Sequence, residues 1–180
     1  LTPALGLAEY GVAVPFWSDN ASKRRWVALP TGGRVGFDAY DAWDLPVGTA
    51  LVKHFEVPTG PAQTRRLETR VLLRQAVPDR WICVTYRCNL NQTDADLLTT
   101  GLDEQITLDL GSGAQLQTYH YPASWECLQC HNRSAGDVLG LRTAQMNRSF
   151  TFPGGTANQL ATWSCAGMLD TDPGSPAGHE

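Results

Sequence analysis

Short runs of alternating apolar and polar residues dominate the middle of the chain. Thr49 to Val57 is rich in β-branched and aromatic residues and ends at Pro58-Thr59-Gly60-Pro61, a strong turn signal. Leu67, Thr69, Val71 and Leu73 alternate with Glu68, Arg70 and Leu72, which predicts a second strand with one mainly polar face. Trp81 to Cys88 reads as a third, with Ile82, Val84, Tyr86 and Cys88 on one side. Ile106, Leu108 and Leu110 alternate with Thr107 and Asp109, and Leu116 to Tyr121 completes a fifth candidate. Turn-rich spacers between these runs predict a mainly β fold, an antiparallel sandwich or barrel-like framework. The first 45 residues, rich in Gly, Pro, Trp and Asp, read as loops with short strands between them.

After Pro122 the character changes. Ser124 is placed to cap a short helix holding Trp125, Cys127 and Leu128. Leu139 to Asn147 predicts a second short helix, and Thr156 to Ala166 a third, with Thr156 as cap and Gly167 just past its end. The chain thus divides into a β-rich framework over 1–121, a short helical segment over 122–169 in the same compact unit, and a tail over 170–180. Almost free of apolar residues, that tail reads as disordered or as a linker.

Composition adds few constraints. A chain of 180 residues buries a real core without needing disulfides or metals for size. A hydrophobic share of 42% with 18% charged residues is that of an ordinary water-soluble domain. The net charge of −4 and the absence of a long basic run argue against nucleic acid, and Lys23-Arg24-Arg25 is short enough to be a solvated loop. No apolar run reaches the roughly 18 residues of a membrane span. The start at Leu1, without Met or a signal pattern, reads as that of a mature or trimmed product.

Chemistry concentrates in Cys127-Leu128-Gln129-Cys130-His131, which fits the C-x-x-C-H pattern of c-type haem attachment. Thiols at i and i+3 lie on one side of a helical turn and reach the two vinyl groups of one porphyrin edge. The adjacent His131 then lies under the iron as proximal axial ligand, and the predicted cofactor is one covalent haem c. The distal candidates are His120, seven residues before the motif at the end of the last predicted strand, then Met146 and Met168 after the motif, and His54 in mid-strand; an open or water-filled position is the remaining option. Trp125 is the expected pocket wall. A structural zinc site would draw on Cys127, Cys130 and two of Cys165, His120 and His131, but no second C-x-x-C pair and no H-x₃₋₅-H pair supports it. A thioredoxin-like pair expects a βαβ context that the pattern lacks. Cys83, Cys88 and Cys165 remain as disulfide candidates or buried free thiols; Cys83 and Cys88 have opposite strand parity, and Cys165 pairs as plausibly with either.

Beyond the motif, the matching segments include Val14-Pro15-Phe16-Trp17-Ser18-Asp19, Lys23-Arg24-Arg25-Trp26, Pro46-Val47-Gly48-Thr49, Arg66-Leu67-Glu68-Thr69-Arg70, Thr85-Tyr86-Arg87, Gln92-Thr93-Asp94-Ala95, Leu139-Gly140-Leu141 and Asn158-Gln159-Leu160. In these the chain resembles a bacterial group of secreted c-type cytochromes, mono- or dihaem. The resemblance implies a β-rich region built onto a haem segment and a place in the periplasm or at the cell surface. Some members continue into a second C-x-x-C-H, where this chain runs into its polar tail. Cys83 and Cys88 are peculiar to this sequence, which the resemblance turns toward a local disulfide. The expectation is an exported monohaem electron carrier with redox partner proteins, alone, as a homo-oligomer or in a larger cytochrome assembly. The alternatives are a peroxidase-like haem enzyme with an open distal site, and a binding module whose haem or zinc is structural.

Overall fold

The computed structural model describes residues 2–179, and these form an open antiparallel sheet with most other elements laid on one of its faces. The sheet is a six-stranded meander in sequence order: β1 (Ala8–Tyr10), β2 (Ser22–Ala28), β3 (Ala50–Gly60), β4 (Gln63–Gln75), β5 (Arg80–Cys88) and β6 (Ala95–Leu98). A separate hairpin joins β7 (Leu102–Asp109) to β8 (Ala114–Tyr121). The chain then makes α1 (Ser124–Cys130), α2 (Thr143–Met146), a small hairpin of β9 (Ser149–Phe152) with β10 (Gly155–Asn158), and α3 (Gln159–Cys165). The architecture is mainly β with antiparallel sheets, as the strand pattern predicts, and the large sheet does not close into a barrel.

Side chains alternate across a strand, so register assigns each row to a face. Ala8, Val27, Leu51, Leu72 and Cys83 are successive cross-strand partners on the covered face. They belong to an apolar cluster completed by Trp43, Leu141, Met146, Leu160 and Trp163. Two rows away Phe55 joins a second cluster with Leu67, Ile106, Leu108, Tyr119 and Tyr121, contributed by the β7–β8 hairpin. On the opposite face Val52, Val71, Ile82 and Val84 are only half-buried. A register slip between Phe55 and Glu56 leaves Leu67 as an extra residue in β4, a bulge that keeps both Leu67 and Glu68 buried.

Three element boundaries differ from the periodicity. The predicted helix over Leu139 to Asn147 shrinks to Thr143–Met146, because Gly140 sits at φ 98 and breaks the run. Thr156 lies in β10 and does not cap a helix; Asn158 caps α3 instead, its side chain accepting from the Ala161 N–H at 3.0 Å. Residues 170–179 make specific contacts where a disordered tail is expected. The Asp170 carboxylate accepts from the Phe37 N–H at 2.9 Å, and Asn147 Nδ2 donates to the Pro176 carbonyl at 2.9 Å. No helix among the described residues is long and apolar enough to cross a membrane.

Candidate site at the end of helix α1

Helix α1 begins after Ala123, whose N–H donates to Glu126 Oε2 at 2.6 Å, a carboxylate reaching back from the first turn to an orphan donor. Ser124 does not cap the helix; its hydroxyl donates to the Cys83 carbonyl and pins α1 onto β5. This orientation turns Cys127 inward, at 8% exposure, and leaves Cys130 exposed. Trp125 also faces solvent, at 64% exposure, so it does not wall a pocket.

His131 ends the helix. Its Nδ1–H donates to the Asp137 carbonyl at 2.9 Å, which fixes the tautomer and leaves Nε2 as the nitrogen available to a metal. The turn that supplies this carbonyl depends on two successive left-handed residues, Gly136 at φ 76 and Asp137 at φ 57. A Cβ at Gly136 would meet Ala42 Cβ at 2.7 Å, so only glycine fits there. Burial, opposed by the Asp137 hydrogen bond, lowers the His131 pKa, and Lys53 and Arg70 lower it further. The imidazole is therefore held neutral, the form that ligates metals. His131 lines a cavity of about 610 Å³ walled by Trp43, Leu45, Trp81, Leu128 and Val138, with Arg74, Arg80 and Arg133 among its polar lining.

Cys127 meets Cys83 and Thr85 on the sheet. Its hydrogen bond with Cys83 brings its pKa down to about 7 against the opposing effect of burial, with help from Arg70. The same hydrogen bond and burial push the Cys83 thiol up. Cys127 is thus the member of this pair that ionises first.

The distal candidates lie elsewhere. His120 is exposed at the other end of α1, with Nδ1 2.6 Å from Asp103 Oδ1 and Nε2 3.0 Å from Glu126 Oε1, so both ring nitrogens are engaged. His54 is buried on the opposite face of the sheet from α1, with Nδ1 2.7 Å from Thr69 Oγ1. Met146 is fully buried and its sulfur accepts from Gln159 Nε2 at 3.3 Å. Met168 packs, partly buried, against the same apolar cluster. None of the four is among the residues lining the His131 cavity. Cys88 is buried at the end of β5 and Cys165 exposed at the end of α3; all five cysteines are free thiols. Among the described residues, no three His, Cys, Asp or Glu side chains gather to hold a metal ion. Of the tryptophans, Trp43 and Trp81 line this cavity, arriving from a loop and a strand far from the motif.

Between the two apolar clusters runs a row of cations. Tyr10, Arg25, Lys53, Arg70 and Thr85 are successive cross-strand partners on the covered face, and Lys23 lies one row on. Like charges paired across strands repel. Desolvation, with Arg25, Arg70 and Lys23 adding to it, lowers the Lys53 pKa to about 8. An unfolded lysine titrates near ~10.4, so between those values the unfolded chain binds more protons and stability rises with pH. Lys53→Met is therefore expected to stabilise the fold at pH 7 by about 1–2 kcal/mol. The gap between variant and wild type should close as pH rises from about 8 through ~10.4. Urea unfolding across that range checks it; a gap independent of pH would show that packing, not charge, is responsible.

Compared with known protein families, curated proteins and solved structures, the chain matches none.

Proposed function

We propose that this chain is an exported electron carrier holding one haem c, joined through Cys127 and Cys130 with His131 as axial ligand. The observation that supports it most is His131 itself. In a C-x-x-C-H motif it is held as a neutral imidazole with Nδ1 committed to Asp137 and a cavity of mixed polar and apolar lining beside it. The donor set fits the group with one adjustment. Cys130 is already accessible, whereas Cys127 must turn away from Cys83 before both thiols can meet one porphyrin edge.

Haem, when bound, supplies the one-electron couple. The residues around it shape that couple. Trp43, Leu45, Trp81, Leu128 and Val138 would give a bound haem its apolar contacts beside His131. Lys53 and Arg70 place positive potential at the imidazole, which favours the reduced, less charged iron and raises the potential. Arg80 and Arg133 match the charge of the haem propionates.

A second reading, a haem with an open distal face suited to ligand binding or peroxidase chemistry, is favoured by one observation: none of the candidate distal residues lines the His131 cavity. Export to the periplasm or cell surface, redox partner proteins and assembly with other copies belong to the same proposal, since thioether haem is made outside the bacterial cytoplasm.

The test is the absorption spectrum of the purified protein, oxidised and dithionite-reduced, followed by pyridine haemochrome analysis. Expected is a sharp reduced α band with haem that resists acid-acetone extraction. High-spin oxidised features would select the open-site reading, and a protein produced with haem-attachment machinery yet colourless would end both.

A further inference from the structure

We propose that Cys83 and Cys127 form a reversible disulfide, with Cys130 as its entry thiol, so that the C-x-x-C motif has a third, buried partner on the sheet. Cys83 sits on the covered face of β5 at 1% exposure, and Cys127 reaches it from α1 at 8%. Both side chains belong to the same buried cluster. The Ser124 hydroxyl, bonded to the Cys83 carbonyl, fixes helix to strand at that point. Forty-four residues separate the two cysteines in sequence, as their numbers show, so the contact comes from the fold and not from chain proximity.

The three thiols differ in access, and this gives the exchange a direction. Cys130 is exposed and meets an oxidant of the disulfide class, R–S–S–R, first. Its thiolate attacks one sulfur, forming a mixed disulfide and releasing R–S⁻. Cys127, one helical turn back, then attacks the Cys130 sulfur and releases the second R–S⁻. Cys83 gives up its proton and attacks Cys127, which leaves Cys130 as a free thiol; this last step is redox-neutral. In total the two protein thiols lose two electrons and two protons, and R–S–S–R becomes two R–SH. Burial of the resulting bond shields it from reductants, as structural disulfides are shielded.

The consequence for the cofactor rests on the haem reading. Thioether formation needs Cys127 and Cys130 both reduced, so a Cys83–Cys127 bond holds the chain in a state that cannot accept haem. Once haem is attached, Cys83 is left as a buried thiol without a partner to oxidise it.

The experiment uses the full chain purified without haem and equilibrated in glutathione buffers of graded redox poise. Free thiols are alkylated and the peptides mapped without reduction. Expected in wild type is a linked pair of peptides carrying Cys83 and Cys127, with Cys130 alkylated. In Cys83→Ser that pair is lost and a Cys127–Cys130 bond replaces it. Cys83 alkylated in every buffer, with oxidation confined to Cys127–Cys130, would overturn the proposal. The wild-type map decides this even where the variant folds poorly. Co-expression with haem-attachment machinery then reads the second part: Cys83→Ser should raise the haem-to-protein ratio. If neither protein takes haem, the haem reading fails and the thiol map stands.

Discussion

Glu68→Ala should cost about 3 kcal/mol of stability, near the lower end of the roughly 3–5 kcal/mol for breaking a buried ion pair. Glu68 is fully buried on the covered face of β4, one row from the Arg25–Lys53–Arg70 row. It accepts from the Tyr119 hydroxyl at 2.6 Å and is bonded to the Arg70 guanidinium. Removing it leaves the Tyr119 hydroxyl without its acceptor and Arg70 beside two further cations. Each is a desolvated group losing its partner, which is costlier than the net worth of the bond itself. Arg70 keeps 27% of its side chain exposed, so water recovers part of the loss, and this is why the lower end is expected. Glu68→Leu combined with Arg70→Met should recover most of it, since removing both charges also relieves Lys53. Denaturant unfolding with an unchanged m-value measures both variants. A loss below about 1 kcal/mol for Glu68→Ala would show that solvent already carries this pair.

The same carboxylate explains where periodicity misleads. Read as a pattern, β4 offers Leu67, Thr69, Val71 and Leu73 as its apolar side and Glu68, Arg70 and Leu72 as its polar one. The fold turns the second set inward, because the bulge at Leu67 and the bond to Tyr119 give Glu68 a buried partner that lies 51 residues away. Likewise β5 buries Trp81, Cys83 and Thr85 while Ile82, Val84 and Tyr86 stay half-buried or exposed. Where both faces of a strand carry apolar side chains, alternation cannot choose between them; elements distant in sequence choose. Strand existence is legible because turn signals and β-branched runs are local. The Cys127, Cys130 and His131 spacing is legible for the same reason. The cavity beside His131 is not, since Trp43 and Trp81 approach it from a loop and from β5. Nor is the Cys83–Cys127 contact, which parity within β5 alone does not reveal. Trp125 shows the converse: adjacency to the motif in sequence places it on the solvent side of a seven-residue helix.

On the haem reading proposed above, replacing both Cys127 and Cys130 by Ser should abolish covalent attachment altogether, the largest functional effect that reading predicts. Thioether bonds need thiols, and the hydroxyl of Ser forms none. The structure separates this chemistry from folding. Cys130 is exposed, so its replacement costs little stability. Ser at 127 keeps a hydrogen-bonding group beside Thr85 and Cys83, so the expected cost there is about 1 kcal/mol, too little to unfold the domain. His131 remains anchored to Asp137 in the double variant, and any haem it still holds should come away in acid-acetone. His131→Ala gives the complementary result: thioether haem is retained and the spectrum changes with the loss of the axial imidazole. The single variants separate the two thiols further. Cys130→Ser removes the exposed entry thiol of the Cys83–Cys127 bond, so Cys127 stays reduced and should hold haem through a single thioether. Haem-stained denaturing gels and intact mass report all of these directly. Haem that survives extraction in the double variant would place the attachment outside the C-x-x-C-H motif and remove the main support for the electron-carrier reading.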